Sequence, residues 1–196
     1  MSEESPDVGG ISNWFGRNSI HAQKPGEIIG KVGWVGVVFA GSMAEVPFFN
    51  ARSIVVNDKH LAVMNLAKII ASRPTQQELF RRIMDTPFHE AQLEESQAEC
   101  KRFDDLYAPS DGVGLFLKEA STPCTLAPNL DWAYHYFNVS WMSRSGTAGT
   151  KGELKGAMSV RWEGAGGGSA KRYYSAARSL CQWRRALRRC EFTAMD

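Results

Sequence analysis

Two short segments hold the residue types best suited to handling a ligand. Phe39-Ala40-Gly41-Ser42 puts a glycine where an apolar segment turns into the next element, and Asp58 follows a second apolar segment 17 residues after Gly41. A glycine there lets the backbone turn tightly and approach a bound molecule, and a carboxylate at that distance accepts hydrogen bonds from the hydroxyls of a ribose. The turn has no three-glycine dinucleotide fingerprint and no phosphate-binding Lys-Ser/Thr, which disfavours nucleoside triphosphates. Nucleophilic chemistry is not indicated: no Gly-x-Ser-x-Gly elbow occurs, and His21, His60, His89 and His135 are isolated from one another. His60, beside Asp58, reads as a helix-start residue. The carboxylate pairs Glu94-Glu95 and Asp104-Asp105 read as solvated helix faces. Cys100, Cys124, Cys181 and Cys190 form no Cys-x-x-Cys pair and have no histidine at ligand spacing, which argues against a zinc site and for reduced thiols in the cytoplasm.

The elements that must position these groups follow from periodicity. Val32 to Ala40 is rich in β-branched and aromatic residues and has the continuous apolar character of a strand covered on both faces. Gly41-Ser42 ends it, Met43 to Phe49 makes a short helix, and Ser53 to Val56 is a second strand running into Asn57-Asp58. Strand, glycine turn, helix, strand, acid is the opening of a doubly wound α/β fold. Helices follow at Leu61 to Ser72, after a Thr75-x-x-Glu78 capping box that starts a helix with Leu79, Phe80, Ile83 and Met84 buried, and at about Phe88 to Tyr107 with Leu93, Phe103, Leu106 and Tyr107 as apolar contacts. Three successive helices leave the alternating pattern and read as an insertion. Asn129 to Ser143 is an aromatic helix, and Arg144 to Gly156 is a basic, glycine-rich loop, continued by Val160 to Glu163 and Gly164 to Gly168. A helix from Lys171 to Arg189 and a strand from Cys190 to Met195 complete the chain.

Composition sits near globular averages. The 196 residues include 43% hydrophobic and 22% charged residues. A chain of this size hides roughly 70% of its unfolded surface and needs no staples. The formal charge of +2 conceals an asymmetry: residues 1–140 carry 12 Lys+Arg against 17 Asp+Glu, and residues 141–196 carry 11 against 4. So basic a terminal block points to an anionic partner, nucleic acid being the commonest. Residues 1–10 read as a disordered tail, and neither a secretion signal nor a membrane span is expected.

Taken together, Asn13-Trp14-Phe15-Gly16-Arg17, Val37-Val38-Phe39-Ala40-Gly41-Ser42, Val56-Asn57-Asp58 before a helix, and a helical insertion with the Arg144-to-Trp162 loop resemble the Dam-type adenine-specific DNA methyltransferases of bacteria and phages. The resemblance runs from about residue 12 to 196. It implies a Rossmann-like, S-adenosylmethionine-dependent α/β fold with residues 11–70 and 176–196 in the core and 71–175 as a helical target-recognition insertion. It implies a cofactor site at Phe15, Gly16, Arg17, Phe39, Ala40, Gly41, Ser42 and Asp58, and contacts to double-stranded DNA from Arg144, Lys151, Lys155 and Arg161. The activity implied is methyl transfer from S-adenosylmethionine to the exocyclic amine of a flipped adenine, by a cytoplasmic monomer, as in restriction-modification.

The chain departs from the family pattern at several positions. Val37 and Val38 stand where the family has an acid and a proline, Met43 where it has glycine, Arg17 where lysine is common, and Thr147-Ala148-Gly149 where it has Phe-Asn-Gly. The catalytic Asp-Pro-Pro-Tyr motif is absent, so no catalytic residue is assigned and the expectation is a truncated chain that is inactive alone, completed by a further segment or a companion chain. The competing readings are a non-catalytic DNA-binding remnant of such an enzyme and, least favoured for want of the glycine triplet, an NAD-dependent oxidoreductase.

Overall fold

The computed structural model describes residues 9–13, 20–107, 127–144, 156–160 and 168–194. A short helix α1 (Lys24–Ile29), with Pro25 in its first turn, leads into strand β1 (Lys31–Val38). Strand β2 (Asn50–Asn57) follows, and β3 (Cys190–Thr193) comes after six helices. The three form one parallel sheet in the order β1-β2-β3, with Val35 opposite Ile54 and Val56 opposite Phe192. Parallel neighbours need crossovers. The first is only the segment 39–49, tightened by a 3₁₀ turn at Val46–Phe48 where a short helix was expected; Pro47 sits in it. The second is α2 (Leu61–Ala71), α3 (Arg73–Met84), α4 (Glu90–Tyr107), α5 (Leu130–Met142), α6 (Ser169–Arg178) and α7 (Leu180–Leu187). The protein is therefore mixed α/β, with a small parallel sheet and many helices.

α2 is apolar on nearly every side, and nine of its residues are buried, so it forms the spine of the core. One hydrophobic cluster joins the strand residues Ile54 and Val56 to Leu79 of α3, Phe103 of α4, Trp132 of α5 and Tyr173 of α6. Burying each large side chain of this kind contributes about 1.5–3 kcal/mol. α5 is fixed to α2 by polar groups as well. Asn65 donates from Nδ2 to the Asn129 carbonyl at 2.8 Å and accepts the Asn129 N–H at 2.8 Å, while Asn129 Oδ1 caps α5 by accepting the Trp132 N–H at 2.9 Å. Among the described residues no helix is long and apolar enough to cross a membrane.

Several local expectations are corrected. β1 is not covered on both faces: it is an edge strand, only Val35 is buried, and Trp34 and Val38 are 62% and 65% exposed. Its apolar run records what the strand is built to bury, not which position in the sheet it takes. The exposed Trp34 ring folds over Gly36, where a Cβ would lie 2.7 Å from it and would have to turn the ring aside. The capping box at Thr75 does not form. α3 begins two residues earlier, with Pro74 in its first turn, a position where the missing N–H costs nothing. Thr75 Oγ1 instead donates back to the Ile69 carbonyl at 2.7 Å, and Glu78 pairs with Arg81 and Arg82. On α4, Leu106 is exposed, and Ser96, Cys100 and Asp104 join Leu93 and Phe103 on the buried face. Asp104 is thus not part of a solvated pair: burial, aided by the Asp105 charge, pushes its carboxyl up to about 8. The helix expected over Lys171 to Arg189 is two helices bent at Ser179, whose Oγ donates to the Ala176 carbonyl at 2.8 Å, a carbonyl that a straight helix would offer to the Leu180 N–H. Residues 1–8 of the tail expected at 1–10 lie outside the described residues.

Candidate functional site

The sheet's carboxyl end carries the turn and the acid that the sequence singles out. Phe39, Gly41 and Met43 all take left-handed backbone, with φ of 57°, 48° and 60°. Such a conformation costs a non-glycine residue roughly 1–2 kcal/mol, so the turn is held by its surroundings. The Ala40 N–H donates to the Asn57 carbonyl at 3.0 Å, the Met43 N–H to the Ala40 carbonyl at 2.7 Å, and the Gly41 N–H to Asp58 Oδ2 at 2.7 Å. These bonds commit the Ala40, Gly41 and Met43 amides to the protein itself.

Asp58 is the keystone of this end. Its second oxygen, Oδ1, accepts the His60 N–H at 2.8 Å, and its own N–H donates to the Thr193 carbonyl at 3.3 Å. One side chain therefore ties the turn after β1 to the start of α2, and its backbone ties both to β3. Asp58 is 7% exposed, and each carboxylate oxygen keeps a lone pair beyond the one its amide uses. His60 is the N-cap of α2: its Nδ1 accepts the Val63 N–H at 3.3 Å, and its ring lies 5.3 Å from that of Tyr136. Phe39 is 80% exposed, whereas Ala40 and Ser42 are buried.

The segment 9–13 packs on the same turn. The Ile11 N–H donates to the Ser42 carbonyl at 3.0 Å, Trp141 Nε1 donates to the Ile11 carbonyl at 3.2 Å, and the Asn13 N–H donates to Ser140 Oγ at 2.7 Å. A Cβ on Gly10 would meet Ser42 Cβ at 2.7 Å, so glycine is what permits this approach. The structure thereby brings the residues leading into Trp14 against Gly41-Ser42 and α5. Phe15, Gly16 and Arg17 themselves lie outside the described residues.

Two polar groups that sequence reasoning missed adjoin this end. Ser12 Oγ and Tyr136 OH are buried next to each other, short of good hydrogen-bond geometry, and the Tyr136 phenol lies within electrostatic reach of Asp58, Cys100 and Asp104, its pKa driven far up chiefly by burial. Tyr136 reads from its helical spacing as a core aromatic, and periodicity carries no sign of where its hydroxyl points. Unpaired buried hydroxyls are costly, about 1–3 kcal/mol each.

Of the expected DNA contacts, Arg144 is exposed just beyond α5, and Lys151, Lys155 and Arg161 lie outside the described residues. The base of that loop is an antiparallel stem: Ser143 bridges Met158, the Arg144 N–H donates to the Ala157 carbonyl at 3.0 Å, and the Ser159 N–H donates to the Met142 carbonyl at 2.7 Å. Arg144 therefore stands at this stem, directly after α5. No family model and no curated protein matches the chain. Among the described residues no cluster of His, Cys, Asp and Glu could hold a metal ion.

Proposed function

We propose that this chain forms the cofactor- and DNA-binding part of an S-adenosylmethionine-dependent adenine DNA methyltransferase with a Rossmann-like core and a helical recognition insertion. The observation that carries the reading is Asp58, anchored to the Gly41 and His60 amides at the carboxyl end of a parallel sheet, where doubly wound folds bind their ligands. The donor set fits an adenosine-type cofactor. Asp58 retains lone pairs for the two ribose hydroxyls, and the exposed Phe39 ring offers an apolar stacking face for a purine. When bound, S-adenosylmethionine supplies an electrophilic methyl group. The chain's own contribution is to hold the ribose through a carboxylate that its two amides keep fixed, and to exclude water around it with Ala40, Ser42 and Met43. Arg144, with Lys151, Lys155 and Arg161 of the loop it opens, meets the DNA backbone or base edges.

Within the 196 residues there is no Asp-Pro-Pro-Tyr motif to accept the adenine amine. The chain is therefore expected to bind cofactor and DNA yet give only background transfer of labelled methyl to an adenine-containing duplex. Ultraviolet cross-linking of methyl-labelled S-adenosylmethionine, followed by peptide mapping, tests the site. Label in peptides covering Phe39 or Asp58 supports the reading; label spread over the chain, or robust turnover on DNA, contradicts it.

A further inference from the structure

We propose that the solvent face of α6 and α7 is a track for the phosphate backbone of double-stranded DNA, leading away from the Arg144 hairpin. From Gly164 to Cys190 the sequence holds seven Lys and Arg and not one Asp or Glu. Lys171, Arg178 and Arg185 recur every seven residues, two helical turns, and all three are exposed, as is Arg188. At 1.5 Å per residue Lys171 and Arg178 lie about 10.5 Å apart along α6, a span of about three phosphates of one B-form strand at 3.4 Å each, and Arg185 and Arg188 continue the basic face on α7.

Three observations favour DNA over other uses of a basic helix face. Arg81 and Arg82 of α3 are already neutralised by Glu78, Asp85 and Asp131, whereas none of Lys171, Arg172, Arg178, Arg184, Arg185 and Arg188 has an ion pair among the described residues. The apolar face of these helices is spent on the core, with Tyr173, Ala177, Leu180, Trp183 and Leu187 buried, so nothing is left to insert into a bilayer. The row consists mainly of arginine, whose fork suits phosphate. It is also continuous with the proposed DNA hairpin: Ser169, the first residue of α6, hydrogen-bonds through Oγ to Ser159 Oγ at 3.1 Å, and Ser159 belongs to the stem that holds Arg144.

The track rests on the reading of the chain as a DNA-binding protein, and the test separates the two. Binding of a labelled 30-base-pair duplex of mixed sequence is followed by fluorescence anisotropy over a range of salt for the full chain, for R178E/R185E, and for the control K24E/K101E, which reverses two exposed charges on α1 and α4. Circular dichroism verifies the fold of each. Loss of two phosphate contacts is expected to lower the salt slope by about 1.8 and the affinity at 0.1 M salt by about 60-fold in R178E/R185E, with a markedly smaller change in the control. A parent that binds DNA but loses as much affinity in the control, or an R178E/R185E chain with an unchanged slope, overturns the track while leaving the DNA-binding reading intact. A parent that binds no DNA overturns both. Binding to anionic phospholipid vesicles that falls in R178E/R185E while DNA binding does not would assign the surface to a membrane and also overturn the track.

Discussion

Replacing Asp58 by asparagine isolates the contact on which the site depends. In the parent, one carboxylate accepts two buried amides, from Gly41 at 2.7 Å and His60 at 2.8 Å. Asparagine keeps one carbonyl oxygen and turns an NH₂ toward the other N–H, so one charge-assisted bond is lost and one buried donor faces another donor. A hydrogen bond to a charged partner contributes about 1.5–3 kcal/mol, and D58N is expected to destabilise by that amount. For a domain of this size that is a fall in Tm of roughly 3–12 °C. Alanine removes both acceptors, and D58A is expected to lose about 3–6 kcal/mol, enough to threaten a protein whose whole stability is of the order of 5–15 kcal/mol. Urea denaturation at neutral pH measures both, and an unchanged m-value identifies the effect as stability rather than a change in compactness. If D58N lies within 0.5 kcal/mol of the parent, Asp58 is not the brace described above, and the left-handed turn is held by something else.

Three further outcomes are expected. Asp104 has a folded pKa of about 8 against roughly 3.9 unfolded, so the folded state binds the extra proton between these values and stability falls as pH rises from about 4 to 8; D104N should remove this slope in denaturation curves taken across that range. Asn65→Ala leaves the N–H and carbonyl of Asn129 without their partners and should cost about 2–4 kcal/mol in chemical denaturation, and Asn65→Asp, which turns a carboxylate oxygen toward the Asn129 carbonyl, should cost no less at neutral pH. Cys181 is exposed and Cys100 is buried with its thiol pushed up by burial, so a disulfide reagent should label Cys181 quickly and Cys100 only on unfolding, and C181S should remove a fast phase.

How much of this was legible in the sequence depends on which physical signal each feature leaves. The pairing of Gly41 with Asp58 is visible because a strand-turn-strand unit fixes their spacing, and the helices from Leu61 to Tyr107 announce themselves by apolar residues at helical steps. The exposure of β1 was not legible, because an apolar run states what a strand is able to bury and says nothing of its place in the sheet. The bend at Ser179 lies within an unbroken helical pattern and comes from one hydroxyl competing for a carbonyl. Ser12 and Tyr136 were missed because a hydroxyl's direction has no periodicity. Thr75 and Glu78 have the letters of a capping box, but Pro74 inside the first turn moves the helix start ahead of them.

The central claim is that the carboxyl end of the sheet, around Phe39 and Asp58, holds S-adenosylmethionine, and isothermal titration calorimetry tests it most directly. Phe39 is exposed, so F39A should fold as the parent does and yet bind with at least tenfold lower affinity. Saturable heat with S-adenosylmethionine is expected in the parent, none with NAD, and the loss in F39A; the absence of heat at millimolar S-adenosylmethionine, or equal binding by parent and F39A, would contradict a cofactor site at this end of the sheet.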